Sequence, residues 1–333
     1  MGMNMFEWLK RIKRALAAVI LRVRTRREAH IAFRYDMAQF MENAGALHLG
    51  RKAAARAEIV MGYHVIEKGL TMPRRRLGFG KGAVVHLMNL IYSFERRFGS
   101  DQQVSHAVGV LRTYRELHKD SSDPMPRLDA FLDARRDVPA AVEPHVARAV
   151  FFAAKDAPFP DFAASRHVCR HFAGPVPRET IEKAVKIAAT APSACNRQHA
   201  RVHVVDDSAL RDRLFALQGG TRGFGADADK VLVVTADLSS VRWAWERHDC
   251  YVNGGIFVLN LCYALHYLGV AHCILHWSVP PETDRAVHEF LGIPQNEAIV
   301  QVIACGAPPE EFDIAASPRL AVSEILTWHG GAK

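Results

Sequence analysis

The sequence predicts an α+β domain over residues 161–333, preceded by a mainly helical extension, and three observations carry that reading. Residues 58–70 repeat their apolar side chains at helical spacing. After residue 160, strand-like and helix-like segments alternate without a regular βαβ rhythm, which favours α+β over a doubly wound sheet. Between them lie a polar stretch with prolines, Asp120–Pro126, and a Pro-rich stretch from Val138 to Pro160, which mark a linker into the second domain. A chain of 333 residues suits one and a half to two cores of ordinary size. Its segments are a basic helical tail at 1–35, a helical extension at 36–150 and the α+β domain at 161–333.

Met5 to Arg27 is helix-prone and sets Phe6, Trp8, Leu9 and the run Ala15–Leu21 among basic residues. Residues 1–35 hold nine Lys or Arg against two Glu, so +7 of the net +8 sits there. The high pI therefore describes a tail, which argues against a nucleic-acid groove in the main domain. A basic helix with aromatics near its end can lie on an anionic membrane surface. The plainer reading packs its apolar stripe on the protein itself. Arg22–Arg27 follows where a cleaved leader would need small residues, and Phe6 occupies the position where a myristoylation signal has Ser or Thr.

Ile59, Tyr63, Ile66 and Leu70 define an amphipathic helix over Glu58–Lys68, with Gly69 as its expected stop. His64, Glu67 and Lys68 share one face of it. The loop Thr71–Gly82 combines four basic side chains with three glycines, enough to hold an anion or simply to connect two helices. Helices follow at about Ala83–Phe98 and Gln103–Lys119.

In the second half, Pro177–Thr190 reads as a helix with Ile181, Ala184, Val185 and Ala188 on one face. Arg201–Val205 alternates as a strand, and Val231–Ala236 and Ala298–Ala304 are short apolar strands. Tyr251–Leu268 is an apolar helix expected to be covered. The glycines of Gly219–Gly225 precede a strand instead of following one, so a Rossmann nucleotide site is not expected. The six cysteines are dispersed, with no C-x-x-C pair, which fits a reducing compartment and a cytoplasmic protein. No apolar run is long enough to cross a bilayer. The pairs His272/His276 and His167/His171 have no third ligand, so no metal site is expected.

Four segments, in order, carry a resemblance. They are Arg166-His167-Val168-Cys169-Arg170-His171-Phe172; Ala191-Pro192-Ser193-Ala194-Cys195-Asn196-Arg197-Gln198; Gly255 to Val270 with Asn260, Leu261, Ala264 and Leu268-Gly269; and a closing segment with Leu291-Gly292-Ile293-Pro294, Cys305-Gly306 and Arg319 before Val322–Trp328. Together they resemble the nitroreductase family of FMN-dependent oxidoreductases, over about half the chain. The resemblance does not reach residues 1–150.

That resemblance implies a mixed sheet flanked by helices, FMN as cofactor, NAD(P)H as electron donor and a homodimer with the flavin at the subunit interface. It implies that Arg166 and Arg319 hold the phosphate, in keeping with the match between guanidinium and phosphate. By the same resemblance His167 and Pro192 belong to the cofactor site, and Arg170 sits at the pyrimidine edge. Ser193, Asn196 and Gln198 would bond the ribityl chain and ring edge, and Leu275-His276-Trp277 would run beside the ring. Three departures stand out. Val168 replaces a serine, His199-Ala200 follows Gln198 where the family has Pro-Trp, and Leu275-His276-Trp277-Ser278 replaces a Pro-x-Glu-Gly element. No side-chain acid or base is assigned.

Three functions follow as expectations. The first is an NAD(P)H-dependent flavin oxidoreductase acting on a small organic acceptor. The second is a flavin-dependent dehydrogenase or reductase of one biosynthetic intermediate. The third is a non-catalytic FMN-binding or membrane-associated interaction protein, kept open by Trp277 and by the basic tail, which can contact an anionic membrane peripherally.

Overall fold

A computed structural model describes residues 5–121, 124–141 and 145–330. The chain begins with α1 (Met5–Asn43), then α2 (Lys52–Leu70), α3 (Lys81–Phe98), α4 (Gln102–Leu117), α5 (Pro126–Asp133), β1 (His145–Ala147) and α6 (Arg148–Phe151). It continues with α7 (Phe159–Ser165), α8 (Arg178–Ala188), β2 (Ala200–Val205), α9 (Ser208–Gln218), β3 (Lys230–Asp237) and α10 (Asp249–Tyr267). It ends with β4 (Ala271–Leu275), α11 (Pro281–Leu291), β5 (Glu297–Gly306), β6 (Glu311–Asp313) and α12 (Val322–Ile325). Two units emerge: a sheet unit of Met1–Leu47, Ala154–Arg166 and Phe172–Ala307, and a helical unit of His48–Ala153, His167–His171 and Pro308–Lys333.

In the sheet unit the strand order is β2-β3-β5-β4. Every described pairing is antiparallel, where a mixed sheet was expected. The α+β class stands; a helix between two strands does not by itself make their crossover parallel. β3 lies inside, and Val231 to Ala236 are all buried, so it reads as a continuous apolar run. Leu232, Val234 and Ile303 pack against α8 and α10 through Ile181, Ala184, Leu261 and Leu265. α10 comes close to the sheet at Gly254, where an added Cβ would lie 2.7 Å from Val300 Cγ2. Its opposite face is uncovered: Val252, Ile256 and Leu259 are exposed, contrary to the expectation of a covered helix. Burial of one face satisfies the sheet, and among the described residues no element of this unit covers Val252, Ile256 and Leu259.

α1 runs beyond the expected Met5–Arg27 to Asn43 as one helix of 39 residues. Ala32 is its buried residue, and Asp36 takes both Arg247 Nε and Nη2, at 2.6 and 2.5 Å. Phe6, Trp8, Leu9 and Ile12 through Val23 expose their apolar side chains, so the stripe does not pack on this unit.

In the helical unit the pattern read for α2 is realised: Ile59, Tyr63, Ile66 and Leu70 are buried against Leu87, Ile91 and Phe94 of α3 and Leu111 and Tyr114 of α4. Asp101 caps α4 by accepting the N–H groups of Gln103 and Val104, at 3.0 and 3.1 Å, an arrangement worth about 1 kcal/mol. Gly69 does not stop α2, which continues to Leu70. It gives room instead: a Cβ there would lie 2.0 Å from Phe79 Cε2. β1 pairs with β6 in the same unit, with His145 opposite Asp313. Of the Asp120–Pro126 linker, residues 122 and 123 lie outside the described residues, and Pro126 opens α5.

Candidate functional site

Of the residues expected at the cofactor, Arg166, Pro192, Ser193, Asn196, Gln198, Leu275, His276 and Trp277 fall in the sheet unit. His167, Arg170 and Arg319 fall in the helical unit.

Arg166 follows the last turn of α7 in extended conformation. Its Nη1 is buried and bonded to nothing among the described residues. Its charge reaches Cys262 of α10 and His272 of β4. His272 is fully buried, its Nδ1 lies 3.2 Å from the Val270 carbonyl oxygen, and burial pushes its pKa down to about 3. A histidine held neutral in this way adds no second cation beside Arg166.

The Ser193–Gln198 loop carries three non-glycine residues in left-handed conformation, Cys195 at φ 51°, Asn196 at φ 52° and Gln198 at φ 52°. Each costs about 1 kcal/mol or more, and such strain collects at ligand sites when the surroundings hold it in place. Here they do. Arg197 binds Glu246 at 2.8 and 3.1 Å and Asp249 at 3.0 Å, which ties the loop to the start of α10. That hydrogen bond, followed by the Arg242 and Trp243 amides, brings the Glu246 carboxyl down to about 2. Ser193 Oγ accepts the Gln198 N–H at 2.9 Å, and Asn253 Oδ1 accepts the Ala194 N–H at 3.1 Å. Asn196 and Gln198 are left exposed.

Beside the loop lies a cavity of about 160 Å³ lined by Pro192, Ser193, Gln198, His199, Arg201 and Asn253 among others. His199 Nε2 and Asn253 Nδ2 are buried there without a hydrogen-bond partner among the described residues. Orphaned polar atoms at a cavity wall suit a hydroxyl-bearing ligand. His199 and Asn253 were not singled out in the sequence, although His199 stands at a departure from the family motif.

Leu275 is buried at the end of β4, and its carbonyl accepts from Gln301 Nε2 at 2.7 Å. The His276 carbonyl accepts from Gln218 Nε2 at 3.0 Å, while its side chain is exposed. Trp277 donates Nε1–H to Asp284 of α11 at 2.8 Å, so its ring is tethered.

In the helical unit Arg170 Nη2 lies 3.4 Å from His64 Nε2. His64 Nδ1 lies 3.6 Å from Glu67 Oε2, and His106 Nε2 lies 2.6 Å from Glu67 Oε1. Tyr63 donates its hydroxyl to Gln103 Oε1 at 2.8 Å and stacks edge-on against His106. Arg319 is exposed, donates to the Ser317 carbonyl and acts electrostatically on Tyr63. His64-x-x-Glu67 was visible as a shared helix face; His106, which completes the group, was not. The basic loop Thr71–Gly82 places Arg75 Nη2 at 3.1 Å from Asp313 Oδ2.

A sequence model of the nitroreductase family matches residues 163–221. A protein of Archaeoglobus fulgidus named as an NADH dehydrogenase/NAD(P)H nitroreductase is 30% identical over 140 residues, 40% of this chain and 76% of that one. The chain belongs to the nitroreductase family. An NADH dehydrogenase of Thermus thermophilus is 27% identical over 198 residues, 49% of this chain and 91% of its own length. Among solved structures, a nitroreductase of Desulfovibrio desulfuricans in complex with FMN is 20% identical, with a TM-score of 0.46 over 53% of this chain and 98% of that one. The NADPH:FMN oxidoreductase of Vibrio harveyi complexed with NAD+ is 19% identical, with a TM-score of 0.46 over 52% of this chain and 78% of that one. The family match spans the first two of the four motif segments, from Arg166 to Gln198.

Proposed function

We propose that this nitroreductase-family chain is an NAD(P)H-dependent flavin oxidoreductase that uses FMN and passes electrons to a small organic acceptor. When bound, FMN supplies a hydride-accepting centre at N5, which a nicotinamide can fill and a small acceptor can empty. The observation that carries the reading is Arg166, whose buried Nη1 has no acceptor among the described residues, at the motif position for a phosphate. An unmet buried donor costs about 1–3 kcal/mol, and a phosphate oxygen would remove that cost with a charge-assisted bond. The motif gives Arg319 the same task.

The Ser193–Gln198 loop supports the same assignment. Its strained turn is held by Arg197, and His199 and Asn253 bring unmet polar atoms to the adjoining cavity. In this reading the ribityl hydroxyls bond there, and Leu275 to Trp277 run beside the ring. Trp277, fixed by Asp284, narrows what can approach and favours a flat acceptor of restricted size. That restriction keeps the second function, reduction of one biosynthetic intermediate, next in line.

The exposed apolar face of α10, with Val252, Ile256 and Leu259, is read as the surface that a second copy covers, giving the homodimer the family implies. A peripheral membrane contact is supported by α1, which exposes Phe6, Trp8 and Leu9 among its basic residues. Among the described residues no helix is long and apolar enough to cross a membrane.

The test is reconstitution. The purified chain should be yellow, release FMN and not FAD on denaturation, and oxidise NADH or NADPH when given a quinone or nitroaromatic. A protein that takes up no FMN would overturn the reading. One that binds FMN without turnover would leave the non-catalytic alternative.

A further inference from the structure

Glu67 is a carboxylate with no exposed surface, in a helical unit whose other core residues are mostly apolar. A buried carboxylate is costly unless it is paired, and this one has two imidazoles around it. His106 Nε2 meets Oε1 at 2.6 Å. Oε2 has no hydrogen-bond partner among the described residues and faces His64 Nδ1 at 3.6 Å. The other ring nitrogen of His64, Nε2, faces Arg170 Nη2 at 3.4 Å. All four side chains belong to the helical unit.

The chemistry of these groups sets which contact attracts. A guanidinium only donates, so Arg170 is attracted to His64 Nε2 when that nitrogen offers its lone pair. In that arrangement the proton of a neutral imidazole lies on Nδ1, the nitrogen turned toward Glu67. A carboxylate behind a histidine selects that tautomer. If His64 takes up a second proton, it goes to Nε2, and Arg170 then faces a cation where it had an acceptor. The contact changes from attraction to repulsion. Half of the His64 side chain is exposed, so solvent protons reach it. Arg170 and Glu67 face His64 directly; His106 meets Glu67, Gln103 and the Arg319 charge act on Tyr63, and the Arg170 charge lowers the pKa of His171.

We propose that His64, held by Glu67, is a proton-controlled positioning residue for Arg170. The neutral imidazole holds the guanidinium, and the protonated one releases it. Because Arg170 is read as the cation at the pyrimidine edge of the flavin, FMN binding should report the state of His64; this rests on the function proposed above.

The experiment measures FMN affinity by fluorescence titration of the full apo-protein at about pH 8 and about pH 5, the range over which histidines titrate. Parent and His64→Gln are compared. Gln keeps an acceptor for Arg170 and cannot take up the proton. The ratio of the two affinities cancels the titration of the FMN phosphate itself. The ratio should shift by roughly tenfold in favour of His64→Gln on going to pH 5, about 1.4 kcal/mol. His64→Phe, which lacks the acceptor, should bind more weakly than His64→Gln at both pH values. An affinity ratio that is the same at both pH values overturns the proposal.

Histidine-labelled NMR of the apo-protein gives a readout that needs no flavin. His64 should show the Nδ1–H tautomer in the parent and lose that preference in Glu67→Gln. A His64 tautomer indifferent to Glu67 also overturns the proposal. If neither parent nor variant binds FMN at either pH, the proposed function is what fails, and the tautomer measurement still decides the dyad.

Discussion

His106 Nε2 lies 2.6 Å from Oε1 of Glu67, joining α4 to α2 through a carboxylate that solvent does not reach. Burial by itself would raise the Glu67 pKa, but the hydrogen bond from His106 and then the nearby His64 imidazole outweigh it and hold the carboxyl below its ordinary 4.5. A depressed carboxyl stabilises the fold fully above its unfolded pKa, and that contribution is lost as the pH falls through the lower folded value. Urea denaturation should therefore show an acid-labile component below pH 4.5 that Glu67→Gln lacks. At pH 7, His106→Ala should cost about 1.5–3 kcal/mol, as expected for a hydrogen bond to a charged group. An unchanged midpoint would show that the pair contributes nothing to stability.

Gly69→Ala should destabilise the helical unit. The new methyl would sit 2.0 Å from the edge of the Phe79 ring, which is itself set edge-on against Tyr114. Overpacking of this kind costs about 1–3 kcal/mol. Adding Phe79→Leu should recover part of the loss in thermal denaturation. If Gly69→Ala melts at the parent temperature, the ring and the glycine do not meet in this way.

Arg166→Ala should weaken FMN binding by about tenfold to a hundredfold, the equivalent of about 1.5–3 kcal/mol. Arg222→Ala should have little effect, because Arg222 is exposed and exposed ion pairs contribute about 0–1 kcal/mol. Fluorescence titration of both apo-proteins at one salt concentration compares them. Equal affinity of Arg166→Ala and the parent would move the phosphate elsewhere.

Removal of residues 1–30 should leave FMN uptake intact and reduce binding to anionic vesicles. The truncation spares Ala32 and the Asp36–Arg247 pair, which fasten α1 to the sheet unit. It removes most of the exposed apolar and basic side chains of α1. Each basic residue at such a surface adds about 1 kcal/mol, so the loss should be steep at low salt. Vesicle sedimentation that does not distinguish the two proteins would reject a membrane role for the tail.

The sequence by itself determined the class of the fold, the periodic face of α2, the strands later found as β2, β3 and β5, and the family. These are local or short-range properties: alternation, helical spacing and motifs whose residues stand within a few positions of one another. It also marked His64 and Glu67 as sharing a helix face, because i and i+3 are neighbours on any α-helix. Only the tertiary structure decided what those two residues meet. His106 is 39 residues from Glu67 and Arg170 is 106 residues from His64, and no periodicity links positions that far apart. The same limit explains Gly69, which looked like a helix stop and is instead the space for a ring ten residues on. It explains α10 as well: apolar composition implied burial, but burial needs a partner surface, and among the described residues of its unit Val252, Ile256 and Leu259 have none. Pairing direction in the sheet and the fate of a buried charge depend on which distant segments are brought together, and that is settled by packing across the chain.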